Sequence, residues 1–360
     1  MKHIHGGNIY QYGKVLDFSA NLNPLGMPEA VRLAAKEGVD ASDHYPDPDC
    51  TALREALSGA EGIPSENIIC GNGAAELIFL LVQARRPERA LLAAPSFAEY
   101  GEALSACGAE LVYYPMKFSA QAEAKESGEG PRAWIGEDYL ELLTEEIDMA
   151  FLCNPNNPTG ALCRREFLEQ VLKRCREKDI LLVLDECFLD FLADKAAYEM
   201  KSYMADGGLF ILKAFTKLYA MAGLRLGYGM SGNRELLETM SCLRQPWSVS
   251  VPAQRAGIAA LGEAGFAART AAYVAVERTR LFSGLKDLGL SVFPGEANFL
   301  FFWSGRTDLK ETLLRRGFLI RDCSNYQGLE PGFYRIAVRT AEENSALLAA
   351  MKEELRWQKH

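Results

Sequence analysis

The chain has 360 residues, 49% of them hydrophobic and 24% charged, with a formal net charge of −9. That length supports a large buried core and roughly two domains, and the negative balance gives a nucleic-acid partner no electrostatic support. The longest apolar runs, such as LIFLLV (77–82), are far too short to span a bilayer, so neither a membrane nor a nucleic acid is expected as a partner.

The first forty or so residues have turn chemistry (HGGN, NLNPLG) and little apolar content. They are expected to lie over an active site and to join the C-terminal part of the chain. No apolar export segment opens the sequence. With it absent, nine singly placed cysteines and no CxxC read as reduced, mostly buried thiols of a cytoplasmic protein. From about Thr51 to Tyr228 short apolar runs alternate with helical stretches, the α/β signature of a mostly parallel sheet. Seven strands are predicted over 67–70, 90–94, 110–114, 149–153, 180–184, 209–213 and 226–230. Helices between them include 74–85, 97–107 and 164–178. The stretch 117–132 is polar and Gly-containing and reads as an exposed loop. Two helices follow over 250–287. After Gly289 the pattern changes to LSVFPGEANFLFFW, a helix near 307–316, FLIRDC, FYRIAVR and a last helix from about Ala341, a separate α+β unit. The division expected is 1–45 as an N-terminal arm and part of the small domain, 46–265 as a large domain, and 266–360 as the small domain.

Three segments in order carry the chemistry. Asn157 lies in NPNNPTG (154–160), Asp185 ends the apolar run ILLVLD, and Lys217 sits in KAFTKLYAMAGLRLGYG. A lysine in an apolar, Gly-containing neighbourhood after a strand is desolvated and nucleophilic, although a single lysine is ordinarily a solvated charge. An acid at the carboxyl end of a parallel strand lies where ligands of open sheets bind, and it can equally cap the next helix. Together they supply what pyridoxal phosphate needs: Lys217 for the Schiff base, Asp185 for the pyridine nitrogen, Asn157 for the phenolic oxygen and Arg225 for the phosphate. In GNGAAE (71–76) the backbone amides of Gly73, Ala74 and Ala75, at a strand-to-helix junction, would cradle a phosphate. Phe97 in PSFAEY offers either a ring to stack on the pyridine or a core side chain.

The set resembles the fold-type I pyridoxal-phosphate enzymes of the aspartate aminotransferase superfamily. Within it, the chain resembles the histidinol-phosphate aminotransferase branch, and most closely the L-threonine-O-3-phosphate decarboxylases of cobalamin synthesis. The resemblance runs over nearly the whole chain: HGGNIYQYG, LDFSANLNPLGMP, HYPDPDCTALREAL, PSFAEYGEAL, LCNPNNPTG, DECFLDF, QPWSVSVPAQ, LIRDCSNYQGL and YRIAVRT. It implies Lys217, Asp185 and Asn157 in the roles above and Phe97 as the stacking aromatic. Gly73, Ala74, Thr216 and Arg225 would surround the cofactor phosphate. Tyr45 matches a tyrosine that reaches that phosphate from a partner subunit, implying a homodimer with shared sites. His5, Gly6, Asn21, Asn157, Arg321 and Arg335 match contacts to the phosphate and carboxylate of a phosphorylated amino acid.

The chain departs from that pattern near the lysine. Ala214 replaces the usual serine and Lys213 the usual arginine, so one cofactor-phosphate bond is missing unless Lys213 or a water supplies it. Phe188 stands where the aminotransferases carry tyrosine, as in the decarboxylases, leaving Asn157 alone at the phenolic oxygen. Cys187 is a small substitution for alanine. The implied reaction is loss of CO2 from L-threonine O-3-phosphate, with transamination of a histidinol-phosphate type, or action on phosphoserine, as the alternatives.

Overall fold

The computed structural model describes residues 5–119, 130–205 and 207–356. Its largest element is a seven-stranded sheet with the spatial order Ile68–Gly71, Gly227–Ser231, Leu209–Ala214, Leu181–Asp185, Met149–Cys153, Arg89–Ala94 and Glu110–Pro115. Each strand begins and ends within one residue of its predicted span. Only Gly227–Ser231 runs antiparallel to its neighbours; the remaining pairings are parallel. The central strands MAFLC and LLVLD are buried at every position, as a sheet covered on both faces demands. Helix Arg165–Glu177 turns Leu168, Val171, Leu172 and Cys175 inward at helical spacing.

Four parallel neighbours end side by side, with Cys153, Asp185 and Leu212 in register. The loops that follow these carboxyl ends carry Phe97, Asn157, Cys187 and Lys217, so the topology gathers them on one rim.

A second sheet is antiparallel, in the order Ser291–Phe293, Phe299–Trp303, Phe333–Ala337, Arg321–Asp322. Its core combines Phe299, Phe302 and Ile336 with Val274 and Leu281 of helix Phe266–Asp287 and Leu347 of helix Ala341–Arg356. Strand Leu16–Asp17 pairs in parallel with Phe318–Leu319. Phe18 is buried in the same core, and its carbonyl accepts a 2.8 Å bond from Ala337 N. Helix Glu29–Asp40 packs instead on Val251–Leu261.

One expectation is corrected. The segment 117–132 is not a free loop at its ends: Lys117–Ser119 pairs antiparallel with Arg132–Trp134. Phe118 anchors that ribbon among Phe293, Phe301 and Phe333, one apolar residue in a polar stretch sufficing once its neighbours are aromatic. Residues 120–129 lie outside the described residues. Within FLIRDC, Phe318–Leu319 and Arg321–Asp322 serve different sheets.

Candidate active site

Lys217 lies in the one-turn helix Phe215–Leu218, directly after the strand Leu209–Ala214. The NLNP segment clamps this turn: Asn23 N donates to Lys217 O at 3.1 Å, and Asn23 Nδ2 to Leu218 O at 2.6 Å. Burial pushes the Lys217 ammonium down to about 8, and the Arg335 and Arg225 guanidiniums add to the effect against the opposing pull of Cys187 and Asp185. An amine so placed is neutral in a useful fraction of molecules near neutral pH. Its Nζ stands 5.9 Å from the centre of the Phe188 ring, with no hydroxyl there to bond.

Asp185 is buried at the end of its strand. Its Oδ1 accepts from Cys187 N at 2.9 Å and its Oδ2 from the Tyr100 hydroxyl at 2.5 Å. Burial raises its carboxyl; the bonds from Cys187 and Tyr100, and the Lys217 charge, work against that rise. Tyr100 was missed by sequence reading. It stacks on Phe151 and meets the edge of Phe97, three residues earlier at the start of the same helix. That spacing, placing both rings on one helix face, was the available signal.

Asn157 Oδ1 accepts from Arg335 Nη1, while Arg335 Nη2 donates to Ser19 O at 2.8 Å. Asn157 Nδ2 makes no protein hydrogen bond among the described residues. Arg335 and Arg321 stand directly opposite each other on antiparallel strands, and both are buried. Cross-strand partners share a face, their Cβ atoms roughly 5 Å apart. Arg321 bonds Asn325 Oδ1 at 2.8 Å and lies over the Tyr326 ring. Two buried like charges in that relation repel unless an anion lies between them. Arg335 Nε and Asn21 Oδ1 are buried without hydrogen-bond partners, the mark of a site built for a ligand.

At the other end of the site, Gly73 (φ +81°) precedes the helix Ala74–Arg85, and a Cβ there would collide with the Arg225 guanidinium. A Cβ at Gly227 would lie 2.5 Å from Ala74 N. Both glycines therefore keep a cradle open beside Arg225, which itself holds a left-handed φ of 59°. One expectation is corrected, since the Gly73 amide is spent on Gly71 O at 2.8 Å. Ala74 and Ala75 remain as first-turn donors. Thr216 is buried next to Lys217.

Lys213 does not replace the absent serine. The strand pleat turns it to the opposite side, where its Nζ pairs with Glu61 Oε1 at 3.2 Å and Tyr228 bonds the same oxygen at 2.5 Å. Burial opposes charge there, but Lys213, Tyr228 and Lys201 hold Glu61 down at about 2. Tyr45 is not brought to this site: it is exposed, its ring stacked on Trp247 at 4.4 Å. His5 meets Glu99, Nε2 to Oε1 3.3 Å, and Gly6 packs against the Ser19 carbonyl closely enough to exclude a Cβ.

The residues present fit pyridoxal phosphate: an amine of lowered basicity, a buried acid, a glycine-edged cradle beside an arginine, and unsatisfied buried donors and acceptors. On this sheet that combination places the chain in the class of fold-type I pyridoxal-phosphate enzymes. The chain belongs to the family described as aminotransferase class I and II, which it matches over residues 13–351. It is 37% identical to threonine-phosphate decarboxylase of Salmonella typhimurium, covering 98% of this chain and 96% of that protein. It is 36% identical to histidinol-phosphate aminotransferase of an Anaeromyxobacter species, covering 95% and 91%. Among solved structures, histidinol-phosphate aminotransferase from Clostridium acetobutylicum superimposes with a TM-score of 0.86 at 29% identity, covering 95% and 99%.

Proposed function

We propose that the protein is a pyridoxal-phosphate-dependent decarboxylase of L-threonine O-3-phosphate, releasing (R)-1-amino-2-propanol O-2-phosphate for the cobalamin nucleotide loop. The observation that carries the reading is the register of Arg321 opposite Arg335, two buried cations at one site. A phosphorylated amino acid brings the two anionic groups that such a pair requires. The likeness to a named threonine-phosphate decarboxylase over nearly the full length supports the same substrate.

Pyridoxal phosphate, when bound, supplies the electron sink for the pair left at Cα. Ala74, Ala75, Thr216 and Arg225, with Gly73 keeping the space clear, would hold its phosphate. Asp185 would pair with its ring nitrogen, Asn157 Nδ2 bond its phenolic oxygen, and Phe97 cover one ring face. Lys217 would offer a neutral amine for attachment, and Lys217 or a water would return a proton to Cα. Arg321, Arg335, Asn21, His5 and Gly6 grip the substrate's phosphate and carboxylate. The energy of that remote grip orients Cα, and orientation selects which bond breaks.

The dimer belongs to the same proposal. Tyr45 is 78% exposed and stacked on Trp247, itself 46% exposed, an aromatic pair suited to a partner subunit's site. The division at 45/46 and 265/266, and a cytoplasmic location, are proposed alongside it. No helix among the described residues is long and apolar enough to cross a membrane.

Transamination is the second reading, favoured by the likeness to histidinol-phosphate aminotransferases. Supplying O-phospho-L-threonine without a 2-oxo acid separates the two. Accumulation of CO2 and the amine phosphate supports decarboxylation; turnover of histidinol phosphate only with 2-oxoglutarate supports transamination. Preference for phosphoserine would be a difference of one methyl, about 1–3 kcal/mol.

A further inference from the structure

Three side chains knit the glycine-edged cradle to the exposed aromatic pair. Ile68–Gly71, the strand that enters the cradle, is outermost in the seven-stranded sheet, so one row of its carbonyls lacks a strand partner. Arg244 caps that edge: its Nη1 donates to Cys70 O at 2.7 Å, while its Nη2 donates to Pro48 O at 2.6 Å. Glu76, in the first turn of the helix after Gly73, accepts on Oε2 from Asn72 N at 2.6 Å and from Ser248 Oγ at 3.1 Å. Gln254 Nε2 closes the figure, donating to Asp47 O at 2.9 Å and to Val249 O at 3.0 Å.

The cradle, the segment 45–48 and the segment 247–249 are thus joined pairwise, and a triangle of ties is rigid. Tyr45 is followed by Pro46, Asp47 and Pro48. Each proline fixes its own φ and restricts the residue before it, so a hold on Pro48 O is passed back to Tyr45. Trp247 keeps a left-handed φ of 62°, a conformation that a large side chain retains only where its surroundings impose it. Both rings are exposed in their own subunit. Such firm anchoring of an exposed pair serves placement rather than core packing.

We propose that Arg244 is a positioning residue that couples the two cofactor sites of the dimer. Through its paired bonds, the strand that sets one cradle also sets the Tyr45 that the same subunit offers to the other cradle. A guanidinium suits the task, because its planar fork holds two acceptors at once, whereas an ammonium is a single point charge. This rests on the reading that the dimer shares its sites. The consequence is that occupancy of one cradle raises the affinity of the other for the cofactor.

The test uses hybrid dimers, purified through a different affinity tag on each subunit. One subunit is otherwise wild type and the other carries Lys217→Met. Only the wild-type subunit can then attach the cofactor to a lysine, and the absorbance of that attached form reports its affinity at the live site alone. Adding Tyr45→Phe to the Lys217→Met subunit should weaken cofactor binding at the live site about tenfold, the effect of one lost bond to a charged group. Adding Arg244→Ala to that subunit instead should weaken it about as much, although Arg244 belongs to the subunit whose own site is silent. The two together should still cost about tenfold rather than about a hundredfold, since they break one path. Arg244→Lys, which keeps the charge and guards against a folding defect, should also weaken the live site. If Tyr45→Phe weakens that site while both Arg244 variants leave it unchanged, or if the losses add in full, the coupling is overturned and the shared sites stand. If Tyr45→Phe has no effect, the shared-site reading falls and the proposal falls with it.

Discussion

Replacing Lys217 by methionine should stabilise the cofactor-free protein while abolishing its chemistry. Methionine keeps the length and apolar stem of the side chain and removes only the charge. In the folded chain burial and two guanidiniums lower this ammonium from an ordinary 10.5 to about 8. At roughly 1.4 kcal/mol per pH unit, that fall makes the charged lysine cost about 3 kcal/mol below pH 8. The sign fixes the pH profile. Between about 8 and 10.5 the unfolded chain binds more protons than the folded one, so wild-type stability gains on the variant as pH rises. Urea unfolding of the apo forms at pH 7 and pH 10.5 reads this directly. Lys217→Met should be the more stable by about 3 kcal/mol at the lower pH, with the gap closing at the higher one. Equal stabilities at pH 7, or a gap unchanged at pH 10.5, would refute the argument that this lysine is held at a cost for function.

Three further substitutions probe the surroundings. Tyr100→Phe removes the 2.5 Å bond to Asp185. It should cost about 1–3 kcal/mol in urea unfolding, and because a bond to the charged form is lost, the acid limb of the kcat profile should move to higher pH. Gly73→Ala puts a Cβ at φ +81° into the Arg225 guanidinium; backbone strain of about 1–2 kcal/mol and a displaced arginine should weaken cofactor retention on dialysis. Lys213→Met leaves Glu61 buried with one lysine fewer and should destabilise the fold by about 3–5 kcal/mol. Cofactor retention should be unchanged, since Lys213 faces away from the phosphate cradle.

The parallel core was legible because its strands are buried on both faces, so MAFLC and LLVLD read as unbroken apolar runs. Asp185, Asn157 and Lys217 were legible because each follows such a run, and loops after parallel strands meet. Features set by pairing were not. Nothing local reveals that Arg321 lies opposite Arg335, for that register belongs to two strands brought together from either side of a turn. The direction of Lys213 depends on the pleat, and only the partner Glu61, far off in sequence, shows which side it took. Tyr100 sits in a motif already quoted for Phe97, but its role appears only once the helix turns it toward Asp185. Ser19 carried no signal in the sequence, and its bonds with Gly7 and Arg335 join the arm to that arginine.

The central claim is that this site removes the carboxylate of a phosphorylated amino acid, and product analysis tests it most directly. The cofactor-loaded protein is incubated with O-phospho-L-threonine and no 2-oxo acid, and the products are read by mass spectrometry. Catalytic accumulation of 1-amino-2-propanol O-2-phosphate with CO2 is the predicted result. Unchanged substrate there, with glutamate formed from histidinol phosphate and 2-oxoglutarate, would contradict it.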